Sequence, residues 1–225
     1  MSRKTLPLPG TASGILSRVF SRPFSGKAGP AAVLTLALSA CAGPPLQLYT
    51  LGGPATSSGQ AQGAVPPGTP ILEIRRASLP DYLDTQDIVT RNGQALRRSA
   101  NGRWAERLSD SVTDFITARI SSARPDLFVT DQPVAGTGPG PASGRLTINI
   151  TRMDIASDGK ATLEASWSFI PADENQPEQL HRGTVSASGP ATTDNDTVTL
   201  TDTLVRQLSD RILQSLPQSL SPALR

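Results

Sequence analysis

Apolar residues follow three rhythms along this chain. Ala31 to Ala40 (AAVLTLALSA) is continuously small or apolar. Leu146, Ile148 and Ile150, and later Ala161, Leu163, Ala165, Trp167 and Phe169, alternate with polar neighbours, as half-buried strands require. Leu108, Val112, Phe115, Ile116 and Ile120 recur at helical spacing, and so do Val198, Thr201, Leu204, Val205, Leu208, Ile212 and Leu216. These stripes predict one amphipathic helix over Ala105 to Ser122 and a closing helix that stops at Pro217.

Shorter runs add strands. Leu46 to Leu51 (LQLYTL) alternates, Ile71, Leu72 and Ile74 cluster within Thr69 to Ser78, and Leu127 to Thr130 and Leu180 to Ser188 complete the set. Asp87 to Ser99 reads as a hairpin about Asn92-Gly93, a pair that accepts the positive φ angles of a type I′ turn. A second turn is expected at Asn101-Gly102 and another hairpin turn at Asp158-Gly159. The alternation of Arg145 to Ile155 changes phase after Ile150, from Ile148 and Ile150 to Met153 and Ile155, which predicts a bulge near Thr151 and Arg152. Pro80 breaks regular structure between Leu79 and Asp84. Residues 52–68 and Asp131 to Gly144 are Gly/Pro-rich loops, the first of them flexible by composition. The expected fold class is α+β, a largely antiparallel sheet with both amphipathic helices packed on one face.

Composition changes the picture mainly at the N-terminus. Arg3, Lys4, Arg18, Arg22 and Lys27 precede the continuous apolar run with no acid among them, and small residues follow it. That order describes an export signal over residues 1–40. Ten apolar residues fall short of the roughly 20 that a spanning helix needs. The run ends at Cys41, the one cysteine of the sequence. Leu38-Ser39-Ala40-Cys41 resembles the bacterial lipobox, in which the thiol receives diacylglycerol, the signal is cut and the new amino group is acylated. The thiol is the side chain here able to carry a thioether lipid; a buried free cysteine and an intermolecular disulfide are the competing readings. Residues 41–225 are then one domain of ordinary size, without an internal disulfide. The full chain carries 21 Lys plus Arg and 19 Asp plus Glu. Without the five leader cations the balance turns acidic, which implies no basic surface for nucleic acid.

Catalytic chemistry is sparse. His181 is the one histidine, between a loop and a strand, and reads as a surface or edge-strand residue before it reads as a general base. A zinc cluster would need further His or Cys, and neither a G-x-S-x-G elbow nor a P-loop occurs. Asp194 and Asp196 could suggest calcium, but helix capping explains them more simply. No cofactor is expected and no enzyme.

Leu79 to Arg91 (LPDYLDTQDIVTR) and Arg103 to Leu108 (RWAERL), together with Tyr49-Thr50-Leu51 after the lipobox, resemble the ABC-type transport auxiliary lipoprotein family. The resemblance spans essentially the whole chain after Cys41. It implies an accessory subunit, lipid-anchored on the periplasmic face, for an ABC or MCE-type system that moves lipids or other hydrophobic molecules and supports membrane integrity. The partners it implies are an MCE-type protein or ABC subunits, the membrane through the anchor, and a second copy of the chain as a candidate homo-oligomer, with no nucleic acid. Ala42 after Cys41 favours the outer membrane. Among the matching residues, Trp104 reads as a core anchor where hairpin meets helix. Tyr82 and Arg91 are candidates for a partner surface; packing of Tyr82, and pairing of Arg91 with Asp84 or Asp87, are the structural alternatives. Other functions compatible with the chain are an outer-membrane assembly lipoprotein that binds lipopolysaccharide or β-barrel proteins, and a periplasmic hydrolase.

Overall fold

The computed structural model describes residues 44–53, 65–133 and 143–220. The chain divides into two units, Met1–Gly43 and Pro44–Arg225, and the fold described is that of the second. Cys41, the leader and residues 54–64 of the first expected loop lie outside the described residues.

Among the described residues, eight strands and two helices follow one another as β1 (Gln47–Tyr49), β2 (Ile71–Ile74), β3 (Asp87–Asn92), β4 (Ala95–Trp104), α1 (Leu108–Ala123), β5 (Phe128–Thr130), β6 (Gly144–Ile155), β7 (Lys160–Pro171), β8 (Gln179–Ser188) and α2 (Asp194–Ser215). The fold class is α+β, as expected, but the strands form two sheets. The small one has the order β1-β4-β3 and the large one β5-β2-β6-β7-β8. Antiparallel pairing dominates through β3-β4, β6-β7 and β7-β8. The short strands depart from it: β1 runs parallel to β4, and β2 runs parallel to both β5 and β6.

The large sheet buries one face beneath the helices. Leu146, Ile148 and Ile150 face inward, and after the bulge between Ile150 and Arg152 Met153 and Ile155 do so. Ala161, Leu163, Ala165, Trp167 and Phe169 continue this surface on β7, where they meet Leu200, Leu204, Val205, Leu208 and Ile212 of α2. Burial of such side chains is the main favourable term in folding. The cap of α2 is reciprocal: Thr193 Oγ1 accepts from the Asp196 backbone N–H, and Asp196 accepts from the Thr193 N–H. Asp194 accepts a hydrogen bond from Ser99 Oγ. Capping, as expected, is the role of Asp196, whereas Asp194 instead tethers the start of α2 to β4.

Three local expectations change. Asn92 is the last residue of β3 and pairs with Ala95, so the two-residue loop is Gly93-Gln94. Gly93, now the first loop position, has φ +60°, the positive angle that both primed hairpin turns require there. Asn101-Gly102 makes no chain reversal. It lies in an excursion of β4, which takes five steps from Arg98 to Arg103 while β3 takes two from Val89 to Asp87. Finally α1 begins at Leu108, three residues late, because Trp104 N–H donates to Gln86 O and Ala105 N–H to Tyr49 O, both at 2.8 Å. Those bonds hold the backbone extended past Trp104.

Candidate functional site

The motif segment Leu79 to Arg91 wraps the start of α1. Pro80 O accepts from the Leu83 and Asp84 N–H groups at 2.8 and 3.0 Å, and the resulting turn buries Leu83. Asp84 then reaches the first helical turn. The α1 N-cap residue, Arg107, offers no side-chain acceptor, although the first N–H groups of a helix lack internal partners and favour negative charge. Asp84 supplies that charge from outside the helix. Ser109 Oγ donates to it at 2.6 Å, Arg107 Nη1 lies 3.5 Å away, and Arg76 approaches at 4.0 Å. The Ser109 hydroxyl first, then the Ser109 backbone N–H and the charges of Arg107 and Arg76, hold the Asp84 carboxyl below its ordinary range against the opposing effect of burial. Arg76 also donates to Ser109 Oγ and pairs with Asp110.

Arg91 has a different partner from those expected. Asp84 is engaged at the helix, and Asp87 pairs with Arg98 and Arg103. Arg91 Nε instead donates to Asp154 Oδ1, while Arg152 Nε donates to Oδ2 of the same carboxylate. Asp154 is buried, with 8% of its side chain exposed. Beside it the backbones join: Ser157 N–H donates to Arg91 O at 3.0 Å, and Arg91 bridges Ala156 in parallel. Asp154 therefore ties the small sheet to the large one. Tyr82 is half-buried and packs against the core. Trp104 is buried at the end of β4, where the anchor was expected.

His181 lies on the edge strand β8 and stacks on Trp167, with ring centroids 5.8 Å apart and planes at 17°. Its Nε2 is buried without a hydrogen-bond partner among the described residues. A general base must reach a substrate proton, and this nitrogen is covered by protein. Two hollows occur among the described residues. One of about 10 Å³ lies between Trp104, Met153, Ile155 and Thr201. The other, about 300 Å³, is an open groove on the polar face of the large sheet beside Glu164, Ser166, Arg182 and Thr184. Neither has the enclosed apolar walls of a lipid-sized pocket.

Nothing in the local pattern marked Asp84 or Asp154 as junctions. Asp84 meets a serine 25 positions later and Asp154 an arginine 63 positions earlier. The one sequence signal was indirect, since both Asp84 and Arg91 fall within the motif segment.

Comparison with known proteins agrees with this architecture. A family model described as ABC-type transport auxiliary lipoprotein component matches residues 49–213. No curated protein sequence matches the chain. Among solved structures, an uncharacterized protein is similar with a TM-score of 0.61 and 17% identity, over 77% of this chain and 100% of its own. A protein from Xanthomonas campestris is similar with a TM-score of 0.54 and 15% identity, over 74% of this chain and 92% of its own. At such identities the likeness is one of fold.

Proposed function

The chain belongs to the ABC-type transport auxiliary lipoprotein family, and from that premise we propose that it is a non-catalytic, lipid-anchored periplasmic subunit of an ABC/MCE-type system that moves lipids or other hydrophobic molecules. The family match over residues 49–213 carries this reading. It begins eight residues after Cys41 and takes in every strand pairing partner from Tyr49 onward, so the matched domain and the acylated cysteine would form one tethered unit. Two acyl chains give stable attachment where one does not. Ala42 after Cys41 directs the unit to the outer membrane. The groove and cavity described above suit a docking domain better than a lipid carrier, leaving ATP hydrolysis and lipid passage to partner subunits.

The test is capture of the native lipoprotein from detergent-solubilised envelopes, with mass spectrometry of what accompanies it. Recovery of an MCE-type protein or ABC subunits is the expected result. Recovery of β-barrel assembly proteins in their place would overturn it. In parallel, Cys41→Ala is expected to move the protein out of the membrane fraction and to abolish signal cleavage.

A further inference from the structure

The small sheet has an unusual charge for its setting. The chain after residue 40 holds more acids than cations, yet β1, β3 and β4 carry Arg91, Arg97, Arg98 and Arg103 with Asp87 as their one acid; Asp154 of β6 takes up Arg91, and Asp87 is shared by Arg98 and Arg103. No acid occurs from Ile88 to Ala105. Every residue from Asn92 to Arg98, the tip of the β3-β4 hairpin, is exposed. Arg98 keeps 73% of its side chain in solvent although its Nε pairs with Asp87. Apolar exposure falls on or beside the same small sheet: Leu96 on the hairpin is 41% exposed, and Leu46 and Leu48, at β1 beside the far end of β4, are 62% and 63% exposed. Phe128 and Leu180, the other large exposed apolar residues described, stand apart on β5 and β8, at opposite edges of the large sheet.

Strand direction connects these residues to the anchor. β1 is parallel to β4, with Gln47 opposite Gly102 and Tyr49 opposite Trp104. The chain before Gln47 therefore runs toward the earlier residues of β4 and toward the hairpin tip. Asn101 Nδ2 donates to Pro45 O at 3.3 Å and holds it on that course. Leu46 and Leu48 point away from the core that Tyr49 and Leu51 join. Only Ala42 and Gly43 separate Cys41 from Pro44, three steps that span at most about 11 Å of extended chain.

We infer that the β3-β4 hairpin tip, with Arg97, Arg98 and Leu96, together with Leu46 and Leu48 of β1, rests on the surface of an anionic phospholipid bilayer and fixes the orientation of the domain. The inference builds on the anchoring of Cys41 proposed above. The arginines meet lipid phosphates, and the leucines enter the boundary between headgroups and acyl chains.

The lipidated protein provides its own assay, because Cys41 is the one cysteine and acylation blocks it. Gln94→Cys is then a unique thiol for an environment-sensitive fluorophore, and Ser186→Cys on β8 is the control. Protein is incorporated into phosphatidylethanolamine vesicles containing phosphatidylglycerol, or into pure phosphatidylcholine. With phosphatidylglycerol, the label at position 94 is expected to shift to the blue and to be quenched by headgroup spin-labelled lipid, while that at 186 is not. Arg97→Glu with Arg98→Glu is expected to return the position 94 signal to that of the control without releasing the protein on vesicle flotation. A floating protein whose position 94 label matches the control, or is quenched equally in phosphatidylcholine, would overturn the inference. Failure to float would instead remove the anchor reading. The unanchored protein is then sedimented with the same vesicles, where binding lost on charge reversal supports the docking surface and absence of binding refutes it.

Discussion

The two sheets of this domain solve different problems. The large sheet is built on long antiparallel pairings, twelve residues each in β6 and β7, and one face is sealed by α1 and α2. The small sheet rests on a three-residue parallel contact and a hairpin whose register is interrupted. It is joined to its larger neighbour through the buried carboxylate of Asp154 and through Ile88 and Trp104, which enter the shared core. Stability is concentrated in the first, and the second is held as an appendage that can present charged and apolar side chains to a surface. That division follows from burial: residues that leave water stabilise the fold, whereas exposed ones remain available for contact.

The largest expected effect breaks the large sheet. Phe169 is 2% exposed, and its ring crosses to Gly144, where an added Cβ would come within 2.4 Å of it. Phe169→Ala is predicted to cost about 3–5 kcal/mol through lost burial and the cavity left behind. Against a typical total of about 5–15 kcal/mol, that loss should lower the urea midpoint of the entire domain. A variant that unfolds within about 1 kcal/mol of the parent would show that the core does not depend on β7 as argued.

A smaller effect should fall on the joint. Asp154→Ala leaves Arg91 without its carboxylate in a site where 25% of that side chain is exposed. Breaking a fully buried pair costs about 3–5 kcal/mol; partial exposure of Arg91 and Arg152 reduces the expected loss to about 2 kcal/mol. Its distribution is the sharper readout. Amide exchange should accelerate in β3 and β4 while the centres of β6 and β7 keep their protection. Uniform acceleration throughout the domain would mean that the two sheets do not differ as described.

This unevenness also explains what the sequence disclosed. Period-two and helical patterns report burial on one face, so β6, its bulge, β7 and both helices were legible from Leu146 to Phe169 and from Leu108 to Leu216. The small sheet buries less and leaves a weaker pattern. There Asn92-Gly93 indicated a hairpin but not its register, and Asn101-Gly102 indicated a turn where the strand makes an excursion and continues. Separation into two sheets was hidden for the same reason, because parallel pairings of three residues leave no periodicity of their own. Arg91 was recognised as a candidate, but its partner lies on β6, beyond any local spacing argument. Cys41 lies outside the described residues, so its lipidation stays a proposal drawn from the leader's composition and the lipobox resemblance.

The smallest expected effect concerns the motif segment that leads into β3. Asp84 has its carboxyl held below the ordinary range, chiefly by the Ser109 hydroxyl, with help from the Ser109 N–H, Arg107 and Arg76. A depressed folded-state value means that the native state binds its proton less readily than the unfolded chain, whose Asp titrates near ~3.9. The contribution to stability is therefore complete above about pH 4 and is lost as pH falls through the folded value. Asp84→Asn removes that dependence together with the charge at the start of α1. Parent and variant should differ in urea midpoint at pH 7, and the difference should shrink as pH is lowered from about 4 to 2.5. Amide exchange at acid pH should rise first between Leu79 and Gln86 and in the first turn of α1, before it rises in β7. A gap between parent and variant that stays constant over that range would show that Asp84 acts through its shape and hydrogen bonds, with no part for its charge. The clamp between motif and helix would then be insensitive to acid, and the small sheet would loosen no earlier than the large one.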